Sequence, residues 1–89
     1  MQFPEEVVSD LRVRLRRAAG QVQAVEAMLA DGRECRDIVT QLSAASKALD
    51  QVGFRLISNG LVFCLEHPDE AEVTGYNLDE VQRLFTKLA

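Results

Sequence analysis

The chain has no tryptophan, one tyrosine, one histidine, two prolines and two cysteines in 89 residues. Each scarcity excludes something. Two cysteines and no leader-like segment do not make a secreted disulfide framework, so a cytoplasmic location is expected. No apolar run approaches the roughly 20 residues that cross a bilayer, so no membrane partner is expected. A single histidine, His67, leaves a nucleophilic cysteine only one conventional base. There is also no glycine-rich phosphate loop and no carboxylate pair that stands apart from the solvated faces. An enzyme is therefore not expected. A helix-turn-helix, zinc finger or basic zipper is missing as well. Strand patterns, internal repeats and low-complexity tracts are absent, which leaves a single domain over residues 1–89.

What is present is helical periodicity. Pro4, Glu5 and Glu6 suit a helix start, and Leu11, Leu15, Ala18, Val22, Val25 and Leu29 recur at alternating spacings of four and three. That pattern is a heptad seam and predicts a helix running to about Ala30. Asp31-Gly32 breaks it. A second helix starting near Arg33 carries the seam on through Ile38, Leu42, Ala45, Leu49, Val52, Leu56, Asn59 and Phe63, and should end near His67-Pro68. Asp69 to Tyr76 reads as a polar connection. Asn77 then looks like an N-cap, with Glu80 three residues on, and Leu78, Val81, Leu84, Phe85 and Leu88 form the apolar face of a short third helix. The expected architecture is all-α, a three-helix protomer. Two long hairpins pairing through their seams would make an antiparallel four-helix-bundle dimer, and a chain this small gains stability by associating.

Charge is distributed unevenly. The net charge is -4, yet residues 1–60 hold eight basic and eight acidic side chains, and residues 61–89 hold two basic and six acidic ones. Within the neutral part, Arg12, Arg14, Arg16 and Arg17 crowd into six residues. At about 100° per residue, Arg14, Arg17 and Gln21 share a stripe beside the seam, suited to phosphate and base edges. Gly20 reads as a close helix crossing and Arg16 as a surface ion pair.

The two cysteines sit near opposite ends of the second helix. Twenty-nine helical steps separate Cys35 from Cys64, about 43 Å at 1.5 Å per residue, so their sulfurs cannot meet within one chain. If two copies of that helix pack antiparallel about Leu49 and Asp50, Cys35 of one reaches the level of Cys64 of the other. The alternative reading of either cysteine is a small buried hydrophobe.

Leu15-Arg16-Arg17-Ala18-Ala19-Gly20-Gln21, Cys35-Arg36-Asp37-Ile38-Val39-Thr40-Gln41-Leu42-Ser43-Ala44, and Cys64 after one long helix together resemble the CsoR/RcnR family of bacterial transcriptional repressors. The resemblance implies an all-helical dimer that assembles into a homotetramer, binds operator DNA and lets go when an inducer is captured between subunits. It implies DNA contact at Arg14 and Arg17, with Gln21 and Lys47 as weaker candidates, and inducer sensing at Cys35 and Cys64. Copper-sensing members are expected to place a histidine four residues before the second cysteine, where this chain has Gly60. Two thiols without that histidine resemble the persulfide-sensing branch, of which CstR is the type. The expected inducer is accordingly a persulfide or polysulfide, with no cofactor. A helix N-terminus favours thiolate, and Arg33 and Arg36 lie beside Cys35, so attack by Cys35 on a sulfane sulfur is reasonable chemistry. The alternative is Cu(I) held by Cys35, Cys64 and an irregular third ligand such as His67.

Overall fold

A computed structural model describes residues 2–89. Four helices follow one another: α1 over Glu5–Ala30, α2 over Cys35–Glu66, α3 over Pro68–Val73 and α4 over Leu78–Leu88. No strand occurs among the described residues. The protomer therefore has four helices, one more than the sequence predicts, because the stretch read as a connection contains α3. The local chemistry accounts for it. Pro68 occupies the first turn, where its missing N–H costs nothing, Asp69 and Glu70 face the positive end, and Ala71 is buried.

Two glycines close the helices that precede them. Gly32 has φ 67° and Gly75 has φ 83°, a left-handed conformation open to glycine without strain. At the first, Arg33 N–H donates to the Met28 carbonyl (3.0 Å) and Gly32 N–H to that of Leu29 (3.2 Å); at the second, Tyr76 N–H donates to Ala71 (2.7 Å) and Gly75 N–H to Glu72 (3.0 Å). Both are Schellman closures, which satisfy carbonyls the helix leaves unpaired. The first turns α1 back along α2, and the second aims α4 at α2. Asn77 caps α4 as the sequence predicts, its side-chain oxygen accepting the Glu80 N–H at 2.9 Å.

The hairpin buries only one edge of its seam. Leu11, Ala18 and Val25 of α1 face Ala45 and Val52 of α2 in the core, whereas Leu15, Val22 and Leu29 remain 44%, 49% and 63% exposed. Leu42 and Leu49 of α2 are exposed too. No large side chain is fully buried, and the molecule is long and thin, 55 × 25 × 14 Å. An exposed apolar face of this extent marks an association surface.

Close approach of helices is found at Gly53 rather than Gly20. A Cβ at Gly53 would stand 3.1 Å from Leu88 Cδ1 where α4 crosses α2, whereas one at Gly20 would meet nothing within 4 Å. The seam reading placed the crossing on α1; within one chain that part of α1 faces open space. Arg16 forms no ion pair among the described residues.

Candidate functional site

Cys35 is the first residue of α2 and Cys64 lies two residues before its end, so one unbroken helix separates the thiols by about 43 Å. The helix starts later than the Arg33 expected from sequence. Glu34 is its N-cap, extended at φ -60° and ψ 134°, and makes no side-chain capping bond. Cys35 is exposed at that start.

Cys64 is 6% exposed and packs with Ala71 of α3 and Val81 of α4, flanked by Ile57, Phe63 and Tyr76. Its thiol donates to the Tyr76 carbonyl at 3.6 Å, tying the end of α2 to the joint between α3 and α4. Beside it lies a cavity of about 480 Å³ whose rim carries Glu72, Asn77 and Asp79. Both free thiols are thus in place, in opposite environments.

The positions around Cys64 bear on a third ligand. Gly60, one turn earlier, is buried and lines an apolar cavity of about 340 Å³ with Leu56, Tyr76, Val81 and Leu84. It offers no donor atom. Asn59 turns its amide back on its own helix, donating to the Arg55 carbonyl at 2.7 Å. His67 is exposed, and its ring stacks at 5.3 Å on Phe63. No group of three histidine, cysteine or acidic residues among the described residues of one chain could hold a metal ion. Any site that uses both thiols needs a second copy of the chain.

Of the basic candidates, Arg17 and Lys47 are exposed and Arg14 is half-buried. Arg14 donates through Nε to Asp10, at 3.1 Å to Oδ2 and 3.3 Å to Oδ1. Arg55 brings Nη1 within 3.9 Å of the same Oδ2 from α2. Gln21 is half-buried, with its Oε1 buried and unpartnered within the described chain. Sequence reading missed both Asp10 and Arg55. The four-residue spacing of Asp10 and Arg14 on one helix was a legible signal; the approach of Arg55 depends on how α2 packs and carried none.

The pattern of the family described as metal-sensitive transcriptional repressor matches residues 8–87. This chain belongs to that family. Its members are regulators of transcription rather than enzymes. The structure is similar to that of the copper-sensing repressor CsoR with Cu(I) from Geobacillus thermodenitrificans, at a TM-score of 0.77 and 31% identity over 99% of this chain and 88% of that one. The all-α fold is that of CsoR. The copper-sensing transcriptional repressor RicR of Mycobacterium tuberculosis is 38% identical over 52 residues, 58% of this chain. The match spans 54% of RicR's length. Both relatives are named for copper, and neither supports placing the chain in the persulfide-sensing branch. For the inducer, they favour the Cu(I) alternative over reactive sulfur.

Proposed function

We propose that this chain is a cytoplasmic, DNA-binding transcriptional repressor whose inducer is taken up between protomers, by Cys35 of one copy and Cys64 of another, and that this inducer is Cu(I). The single observation that carries the shared site is the unbroken α2, which holds the two thiols too far apart to act together in one chain. The unburied edge of the seam supports association into a dimer and a homotetramer. Antiparallel pairing about Leu49 and Asp50 would create two identical two-thiol sites.

The donor set suits a soft monovalent ion, for which thiolates are the preferred protein ligands. When bound, Cu(I) would supply a bridge that favours one arrangement of the subunits. The protein's part is to present Cys35 at the open start of α2 and to release the Cys64 thiol from the Tyr76 carbonyl, since a ligating thiolate no longer donates a proton there. The loss of that hydrogen bond frees the joint that carries α4. Subunit geometry so biased lowers affinity for DNA by coupling between two distinct sites. Arg14, Arg17, Gln21 and Lys47 form the operator surface, and repetition over four chains offsets the net charge of -4.

Gly60 favours a second reading. It leaves the site without a third ligand on α2, which suits sulfur chemistry as well as a two-thiolate ion. In that reading the Cys35 thiolate attacks the terminal sulfur of a persulfide RSSH, forming Cys35 persulfide and releasing RS⁻. The Cys64 thiolate of a second chain then attacks the inner sulfur of that persulfide and releases HS⁻, leaving a disulfide between chains. The terminal sulfur is gained in the first step and leaves reduced, as HS⁻, in the second, so no further oxidant is required.

Intact mass spectrometry without reductant, after exposure to a persulfide donor, separates the readings when run beside Cu(I) titration against a strong competitor. Tight copper at one ion per Cys35 and Cys64 pair, without covalent dimers, is the expected result. Crosslinked dimers and weak copper would replace it with the sulfur reading. A Cys35→Ser, Cys64→Ser double variant should keep DNA binding and lose the inducer response; an intact response would overturn both.

A further inference from the structure

Two arginines from different helices point at one carboxylate, on the stripe of α1 that the operator reading uses. Asp10 accepts from Arg14 Nε at 3.1 Å, and Arg55 Nη1 stands 3.9 Å from the same oxygen. At about 100° per residue, Asp10, Arg14, Arg17 and Gln21 fall within about 60° of one another around α1. Packing of α1 on α2 therefore adds a guanidinium to that stripe that no reading of α1 alone contains.

We propose that Arg14 and Arg55 form a two-helix cradle for one phosphate of duplex DNA, which Asp10 fills as an internal competitor in the free protein. The proposal rests on the DNA-binding reading above. Its geometry is that of an anion site with a stand-in already present. A guanidinium fork matches the paired oxygens of a phosphate as well as those of a carboxylate. Two guanidiniums against one carboxylate leave a surplus positive charge, and neither arginine has another acidic partner among the described residues.

The carboxylate is weakly held. The Asp10 and Arg55 side chains are 49% and 47% exposed, and ion pairs so wet contribute little, so exchange for a phosphate costs the fold almost nothing. At 3.9 Å, Arg55 lies beyond hydrogen-bond distance of Asp10 and keeps its donors free for a further acceptor. Asp10 thus lowers affinity for any polyanion while holding both arginines over one point.

The test uses the full chain and a duplex that the wild type selects from a randomised pool, with affinity followed across salt concentration. Arg55→Gln should weaken binding about tenfold and make the slope of log K against log salt shallower by about one for each phosphate no longer neutralised. Arg55→Lys should recover part of the affinity. Asp10→Asn should tighten binding several-fold. Circular dichroism checks that each variant is folded. Wild-type affinity and slope in Arg55→Gln, or weaker binding in Asp10→Asn, would overturn the cradle. Arg14→Gln keeps the two readings apart: loss of binding there with none in Arg55→Gln sinks the cradle alone, and a wild type that selects no duplex sinks the operator reading with it.

Discussion

The two ends of α2 carry the same side chain in opposite settings. At the N-terminal end Cys35 stands exposed on a helix start whose N-cap side chain bonds to nothing. At the C-terminal end Cys64 is covered by α3 and α4 and its proton is engaged by Tyr76. One thiol is presented and the other is kept. The difference gives each a separate task in a shared site: Cys35 meets an incoming ligand first, and Cys64 couples its capture to the C-terminal helices. A site built from two copies of one environment could not report its occupancy to the fold in this way.

The largest expected effect is on thiol reactivity. In reduced protein, Cys35 should be alkylated about a hundredfold faster than Cys64, because Cys64 reacts only when α3 and α4 lift away. Peptide mass mapping of a time course measures both rates in one sample. Equal rates would show that the C-terminal helices do not cover Cys64 in solution.

Val81→Ala sharpens the contrast from one side. Val81 is 4% exposed over Cys64, and its truncation should cost about 2 kcal/mol in chemical unfolding, through reduced apolar burial and the cavity left behind. If α4 is the cover, Cys64 labelling should speed up by about the same free energy, roughly thirtyfold, while Cys35 labelling stays unchanged. Faster labelling of both would mean that the whole chain opens as one unit. Asn77→Ala acts in the same direction and less strongly. Removing the oxygen that caps α4 should cost about 1 kcal/mol and speed Cys64 alkylation by about fivefold.

Much of this contrast was legible in the sequence, and the limits were physical. Periodicity placed α1, α2 and α4 within a residue or two, since long amphipathic segments are specified by many positions at once. The six-residue α3 has too few positions to show a period. Its signals, Pro68 followed by two acids and closed by Gly75, are those of a turn as much as of a helix. The separation of Cys35 and Cys64 followed from helix length alone, whereas the burial of Cys64 did not, because it depends on where α3 and α4 fold back. The same holds for Arg55, brought to Asp10 only by the register of α1 on α2. Gly20 misled for a related reason. A small residue on a seam signals a close neighbour, but within one chain the neighbour was found at Gly53, under Leu88.

Glu34→Ser tests the other end of α2 and carries the smallest effect. The Glu34 carbonyl already accepts the Asp37 and Ile38 N–H groups at 3.0 and 3.1 Å, so its backbone is set for a cap that its side chain does not supply. A serine hydroxyl there would accept one of the unpaired N–H groups of the first turn and should add about 0.5 kcal/mol. For a domain of this size that raises Tm by about 2–4 °C, read at fixed protein concentration because association contributes to it. Replacing the Glu34 carboxylate also removes a negative charge next to Cys35, which favours thiolate and should speed its alkylation, leaving Cys64 as it was. A lower Tm would show that the long Glu34 side chain supports the start of α2 by packing. Faster alkylation of Cys64 would be more damaging, since it would join two ends of the helix that the structure keeps independent.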